Sequence, residues 1–218
     1  MYNFLTFYIL YLIAYFGSSF TCYAWDINST YKKRQPTDVQ KLKAIYAKIL
    51  PTVLLNVCVV TPIFTMAVFS LFTISDNFSV YYLPSDLFFI ITGTEILFYT
   101  LHRLAHHPKI YAKIHKKHHE LTAPVGLGAL YCHPLEMVFV NLPPVVLPGL
   151  ILGVSYTSIM IYGILATLNT VLNSHGGYKV STCTNNACRP FHDIHHEKFN
   201  GNFGLGYFMD GLFKTIIW

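Results

Sequence analysis

Four long apolar runs constrain the fold of this chain more than any other feature of its sequence. They cover residues 4–20, 50–74, 87–101 and 137–172. A membrane core of about 30 Å takes about 20 apolar residues in a helix, so the first two runs each predict one crossing. The third run is shorter, and it predicts a crossing if its helix continues into the histidine motif that follows it in the sequence. Only 11% of residues are charged, against about a quarter in a soluble domain. The sequence predicts an all-α integral membrane protein.

The fourth run is about twice as long as one crossing needs. Pro143-Pro144 and Pro148-Gly149 interrupt it, and these pairs indicate a helix break or a tight turn. We therefore expect a helical hairpin that enters or crosses the membrane and returns. The bundle then has four to five membrane helices or half-helices. No basic segment precedes the first run, which favours a retained helix over a cleaved signal peptide.

The basic residues predict the orientation of the bundle. They fall in three zones, 32–48, 103–117 and 179–214, and the positive-inside rule places all three on the cytoplasmic side. We expect two units: an N-terminal transmembrane hairpin, 1–85, and a second unit, 86–218, with the third membrane helix, the histidines, the hairpin and a C-terminal cap. The net charge of +5 then reflects loops near anionic headgroups. No motif indicates nucleic acid as a partner.

All eleven histidines lie between residues 102 and 196, and eight of them form three short motifs. These are H-x3-H at 102–106 and H-x2-H-H at 115–119 and 192–196. On a helix with about 100° per residue, each motif presents its imidazoles on one face. With His175 added, the predicted ligands are His102, His106, His115, His118, His119, His175, His192, His195 and His196. One zinc ion takes about four ligands, so this set predicts two metal ions at the cytoplasmic ends of the helices.

Three nearby side chains receive other predictions. Glu95 precedes His102 by seven residues and lies about 20° from it on a helix, inside an apolar span where a carboxylate is costly. We predict that Glu95 accepts an N–H from a ligand histidine; the alternative is a pairing with Asn or Tyr in the bundle. His107 is turned about 100° away from His106 and is predicted not to bind metal. His133 stands alone and is predicted to be structural or to support a ligand.

Ligand type alone leaves zinc, copper, iron and nickel open. The context is a site at the membrane surface, without thiolate ligands, to which long apolar helices lead. A redox-active metal pair in that position suits oxygen activation against an unreactive C–H bond of a lipid tail.

From about residue 95 to residue 215, the chain resembles the fatty acid hydroxylase/sterol desaturase superfamily of membrane di-iron oxygenases. H-R-L-A-H-H-P at 102–108 and H-K-K-H-H-E at 115–120 are similar to its first two histidine boxes. S-H-G-G-Y at 174–178 and H-D-I-H-H at 192–196 are similar to its later histidine segments. Near the C-terminus the family usually has W-D-x-x-F-G-T, where this chain has M-D-G-L-F-K-T. The details look closest to the C-4 methyl sterol oxidase and cholesterol 25-hydroxylase branch.

The resemblance implies two iron ions, O2 as co-substrate, and electrons from NAD(P)H through a separate carrier, cytochrome b5 or a reductase. It implies hydroxylation of a membrane lipid, a sterol first of all, and location in the endoplasmic reticulum if the source is eukaryotic. Fatty acyl, sphingoid or alkylglycerol substrates and desaturation remain open, as does an inactive lipid-binding homologue. A metal transporter is the remote alternative, because it would carry its ligands along a membrane-crossing path, whereas here only Glu95 lies deep in a span.

Overall fold

The computed structural model describes residues 4–28, 35, 38–73, 76–176 and 191–218, and in these ranges it contains helices and connecting turns but no strand. The prediction of an all-α membrane bundle is confirmed. Within the described ranges, four helices are long and apolar enough to cross a membrane: α1 (Phe4–Asn28), α2 (Val39–Ser70), α3 (Leu83–Ala105) and α4 (Pro134–Ile151). Gly177 and Tyr178, at the end of the S-H-G-G-Y segment, lie outside the described residues.

The remaining helices belong to the hairpin and to the C-terminal part. Helix α5 (Tyr156–Asn169) pairs with α4 and is extended by a π-helical turn, Thr170–His175. Helices α6 (Phe191–Lys198) and α7 (Tyr207–Leu212) follow near the C-terminus. Short helical turns at Pro108–Tyr111, His115–Glu120 and Gly126–Leu130 connect α3 to α4. Shorter π-helical turns also lie within α2 and α4, at Asn56–Val60 and Met137–Asn141.

The hairpin reverses later in the sequence than predicted. Helix α4 continues through Pro143, Pro144 and Pro148 to Ile151, and the chain turns at Gly153, whose φ is +67°. A proline inside a helix leaves the carbonyl four residues earlier without its N–H donor. For Pro148 that carbonyl belongs to Pro144, and the Thr94 hydroxyl of α3 donates to it at 2.8 Å. The neighbouring helix thus supplies the missing hydrogen bond, so Pro148 does not break α4.

The N-terminal helices pack directly against the segment that follows the second histidine motif. The Tyr15 hydroxyl of α1 donates to the Leu127 carbonyl at 2.7 Å. The Asn56 amide of α2 donates to the carbonyls of Leu130 and Cys132 at 2.9 and 3.0 Å. A buried cluster joins side chains of α1 and α2 to those of residues 121–131. The proposed division at residue 85 stays a prediction, and the contacts show that the two sides share one core.

Glycine at position 93 lets α3 approach α4 closely. A Cβ built on Gly93 would lie 2.7 Å from the Pro148 Cβ, whereas one on Gly17 of α1 would meet nothing within 4 Å. Both glycines lie inside helices. Replacing Gly93 by alanine therefore tests the packing, and Gly17→Ala is the matched control.

We expect Gly93→Ala to destabilise the protein by about 1–3 kcal/mol, because overpacking forces the helices apart. Gly17→Ala should stabilise it by about 0.5–1 kcal/mol, because alanine is the better helix former. Thermal unfolding of both variants in the same detergent measures the difference. Equal stabilities would contradict the close α3–α4 contact.

Candidate metal centre

The structure gathers nine histidines into two groups. His102, His106, His115, His119 and His195 form one group, called here the five-histidine site, and His118, His175, His192 and His196 form the four-histidine site. In each group one nitrogen from every ring lies within 4.8 Å of the others. These are the nine side chains that the sequence predicted as ligands, eight from the spacing of three motifs and His175 from the S-H-G-G-Y segment. Neither group includes His107 or His133.

The H-x2-H-H motifs divide between the two groups, although each was predicted only to present its imidazoles on one helix face. In α6, His192 and His196 are one turn apart and join the four-histidine site, whereas His195 turns to the five-histidine site. Neighbouring residues on an α-helix point about 100° apart, which separates His195 from His196. The second motif forms a 3₁₀ helix instead of an α-helix, and it also serves both sites. Each of these motifs therefore ties the two sites together.

Hydrogen bonds set the orientation of six of the nine rings. Five of the six direct Nδ1 to a backbone carbonyl, which has no proton to give, so a neutral ring must carry its proton on Nδ1 and a lone pair on Nε2. The sixth, His115, directs Nδ1 to the carboxyl group of Glu136. The bonds are His102 to the Phe203 carbonyl (2.7 Å), His115 to the Glu136 carboxylate (2.8 Å), His118 to the Tyr131 carbonyl (3.1 Å), His175 to the Thr170 carbonyl (3.2 Å), His195 to the Gly201 carbonyl (2.7 Å) and His196 to the Leu121 carbonyl (3.0 Å).

The Nε2 atoms converge at distances that suit metal ligands. In the five-histidine site, His115 Nε2 lies 3.1, 3.0 and 3.0 Å from the Nε2 atoms of His102, His106 and His119. Nitrogens about 2.1 Å from one metal ion and 90° apart are separated by ~3.0 Å, against ~3.4 Å for a tetrahedral ion. Lone pairs that face each other repel, and a cation bound between them removes this repulsion. The distances near 3.0 Å thus indicate that the five-histidine site fits an ion with more than four ligands.

Burial keeps these imidazoles neutral. Desolvation and the neighbouring His102 and His118 lower the pKa of His106 to about 3, and desolvation lowers the pKa of His118 to about 4. The pKa values of His115, His119, His192, His195 and His196 are also lowered, by burial first and by nearby histidines second. A ligand histidine must be unprotonated, and at neutral pH these rings meet that condition.

Glu95 has partners other than the one predicted. Its carboxylate accepts backbone N–H groups from Leu205, Gly206 and Met209 at 2.8, 3.2 and 3.2 Å, and none of its described hydrogen bonds involves a histidine. The seven-residue spacing predicted that Glu95 and His102 share one helix face. The backbone of the C-terminal loop, however, takes up the hydrogen bonds of Glu95. Among the described hydrogen bonds, the carboxyl group that contacts a ring nitrogen is that of Glu136, which is 1% exposed and bonded to His115.

Sequence reasoning gave Glu136 no role. Its signal was a lone acidic residue directly before an apolar run, whereas Glu95 drew attention because it lies inside one. A carboxylate that accepts the outer N–H of a ligand histidine fixes the tautomer and makes the ring a stronger donor.

His107 and His133 occupy equivalent positions at helix starts. Each is the N-cap of a short helix that begins with proline, and each Nδ1 accepts a backbone N–H, from Lys109 at 3.3 Å and from Leu135 at 3.1 Å. For His107 the reason differs from the predicted helical rotation, because α3 ends at Ala105 and His107 is extended. That neither residue binds metal stays a prediction.

A largely apolar cavity of about 190 Å³ ends at the histidines. Phe7, Tyr11 and Tyr15 of α1 line one wall, and side chains of α3, α4 and α5 line the others. At the metal end, His102, His115, His118, His175 and His192 face it. Histidines of both sites therefore border a space that suits an apolar molecule.

Comparison with known proteins matches more than half of this chain to one family. The family model for fatty acid hydroxylase matches residues 87–215. Human fatty acid hydroxylase domain-containing protein 2 is 37% identical over 193 residues, covering 84% of this chain and 54% of that protein. Fatty acid hydroxylase ahd1 of Mycosarcoma maydis is 35% identical over 79% of this chain and 46% of its own length. Methylsterol monooxygenase 1 of Rattus norvegicus is 35% identical over 54% of this chain and 41% of its own length.

The chain spans about half the length of the curated relatives it matches. No solved structure matches it.

Alanine substitutions at two adjacent histidines distinguish a metal ligand from a histidine that binds no metal. His106→Ala removes a ring from the five-histidine site and should leave one iron ion per chain, because the remaining donors no longer enclose the ion. His107→Ala removes an N-cap only and should leave the metal content unchanged, at a cost of about 1 kcal/mol in stability. Metal analysis of anaerobically purified protein measures both. Loss of iron in His107→Ala with retention in His106→Ala would show that the groups are assigned wrongly.

Proposed function

Because the chain belongs to the fatty acid hydroxylase family, we propose that it is a membrane oxidoreductase that hydroxylates a lipid with O2 at two iron ions held by its nine clustered histidines. The observation that carries this proposal is the convergence of the Nε2 atoms at one end of an apolar cavity. When bound, the iron ions supply the redox chemistry that reduces O2. The residues of the chain hold the ions, exclude water and orient the lipid.

Iron is the metal that best fits both the donors and the family. Nine nitrogen donors are too many for one ion, and a group of five with Nε2 separations near 3.0 Å does not suit tetrahedral zinc. Imidazole binds iron well. His115 with Glu136 supplies the carboxylate–histidine pairing that increases the donor strength of a ligand.

The cavity favours a substrate that is a lipid. Aromatic side chains at positions 7, 11 and 15 of α1 line it and follow helical spacing, so they form a stripe along the helix. A lipid tail that lies along this stripe brings one of its C–H bonds to the histidines. A sterol is the first candidate, since one relative is named methylsterol monooxygenase and the motifs look closest to that branch.

A fatty acyl chain is the second candidate substrate. It is favoured by fatty acid hydroxylase ahd1, whose alignment covers more of this chain than that of the sterol enzyme. Sphingoid and alkylglycerol lipids are further alternatives, because they also carry long apolar chains. On the same scaffold, removal of a second hydrogen would give desaturation.

The reaction needs two electrons from outside the chain, and we propose NAD(P)H as their source through cytochrome b5 or a reductase. Arg103, Lys109, Lys113 and Lys116 are exposed and lie close in sequence to His106, the most exposed ring of the five-histidine site. Positive charge there suits an acidic protein carrier. It also suits a cytoplasmic orientation, and in a eukaryotic cell the proposed location is the endoplasmic reticulum membrane.

Lipid profiling under ¹⁸O2 tests the function. Cells that produce the protein should accumulate a lipid that carries one ¹⁸O atom, since hydroxylation converts RH, O2, two electrons and two protons into ROH and water. Cells that produce His196→Ala at equal level should lack this lipid, and those with His107→Ala should retain it.

Identical lipid profiles with and without the protein would contradict the proposal. A product whose new oxygen comes from water would also contradict it. A dehydrogenated product without ¹⁸O would show desaturation in place of hydroxylation.

A further inference from the structure

Two buried carboxylates hold the loop that follows the third histidine motif. The loop comprises residues 201–206 and is called here the orienting loop. Asp210, which is fully buried, accepts the Phe203 N–H at 2.9 Å and the Gly204 N–H at 2.6 Å on its two oxygens. The Thr215 hydroxyl adds a third donor at 2.6 Å. Both oxygens of this carboxylate are thereby used.

Glu95 continues the same pattern along the loop. Its Oε2 accepts the N–H groups of Leu205 and Gly206, and its Oε1 accepts that of Met209. Five backbone N–H groups between residues 203 and 209 therefore donate to two carboxylates. Burying a carboxylate is costly unless such bonds satisfy it. Two buried acids for so short a segment indicate that the position of the loop matters.

The orienting loop presents two of its carbonyls to the metal centre. The Gly201 carbonyl accepts the Nδ1–H of His195, and the Phe203 carbonyl accepts that of His102, both at 2.7 Å. His102 and His195 both belong to the five-histidine site. The four-histidine site takes its described carbonyl acceptors elsewhere, from Leu121, Tyr131 and Thr170.

The packing around the loop leaves little freedom. A Cβ on Gly204 would lie 2.7 Å from Glu95 Oε1 and 2.9 Å from Asp210 Oδ2, so the backbone passes directly between the two acids. Asn202 adopts a left-handed φ of +56°, and its side-chain amide donates to the carbonyls of Phe191 and Ile217 at 3.2 and 3.0 Å. The loop is thus fixed from both ends.

We propose that Asp210 and Glu95 are positioning residues for the five-histidine site. They hold the orienting loop where its carbonyls keep the protons of His102 and His195 on Nδ1 and aim both Nε2 atoms at one ion. The inference rests on the proposed metal centre. Its consequence is selective: disturbing either acid weakens one metal site and spares the other.

Asp210→Asn is the sharpest test, because the side chain keeps its size while an NH2 group replaces one accepting oxygen and meets a backbone N–H donor. Asp86→Asn is the matched control. Asp86 lies on α3, near the end opposite to the histidines, and accepts the Ser158 hydroxyl at 2.6 Å. Titration with Co²⁺ alone, followed by visible spectra and metal counting, reports binding without any assay of activity.

Wild type and Asp86→Asn should bind two Co²⁺ ions per chain. Asp210→Asn should bind one as tightly as wild type and the other at least about tenfold more weakly, the loss typical when a supporting partner of a ligand is removed. Combined with His196→Ala, it should retain no tight site. Combined with His119→Ala, it should retain the spectrum of the four-histidine site.

Two tight sites in Asp210→Asn, or equal weakening of both, would overturn the inference. Wild type that binds fewer than two ions would instead overturn the metal centre on which it rests. If Asp210→Asn fails to fold, as judged by circular dichroism and size exclusion in detergent, Glu95→Gln is read by the same criteria. Failure of both variants to fold would also count against the inference, since the acids would then support the whole fold.

Discussion

The interaction on which the centre depends is the hydrogen bond from a histidine Nδ1 to a fixed oxygen of the chain. Six rings make it, five of them to backbone carbonyls. Each bond to a carbonyl fixes which nitrogen carries the proton and where the other nitrogen points. The carbonyls belong to segments between and after the membrane helices, so the metal site depends on the packing of the whole bundle. Rings brought together without these bonds would be free to turn their lone pairs away.

The membrane helices hold the histidines and their hydrogen-bond acceptors in place at several points. Tyr15 of α1 and Asn56 of α2 bind carbonyls in residues 127–132, next to the Tyr131 carbonyl that orients His118. Glu136 at the start of α4 orients His115. The same helices enclose the apolar cavity. The features that place the histidines therefore also place an apolar cavity beside them, as the proposed reaction at a lipid C–H bond requires.

The sequence predicted the composition of the centre better than its geometry. Spacing identified eight of the nine clustered histidines, because three motifs with imidazoles about one helical turn apart are typical of metal ligands, and the S-H-G-G-Y segment added His175. It did not assign His195 and His196 to different sites, since that depends on where the helix lies. The turn of the hairpin was misplaced because Thr94 satisfies the carbonyl that Pro148 leaves free, a contact between residues distant in sequence. Glu95 was predicted to contact a ligand histidine, and only tertiary packing shows that Glu136 makes such a contact instead.

Metal stoichiometry of protein purified anaerobically with iron tests the central claim, two separate ions in two groups of histidines. We expect two iron ions per chain in wild type, and one per chain in both His119→Ala and His196→Ala, which remove a ligand from the five-histidine and the four-histidine site respectively. A firm value of one in wild type, with either substitution leaving that value unchanged, would contradict the claim.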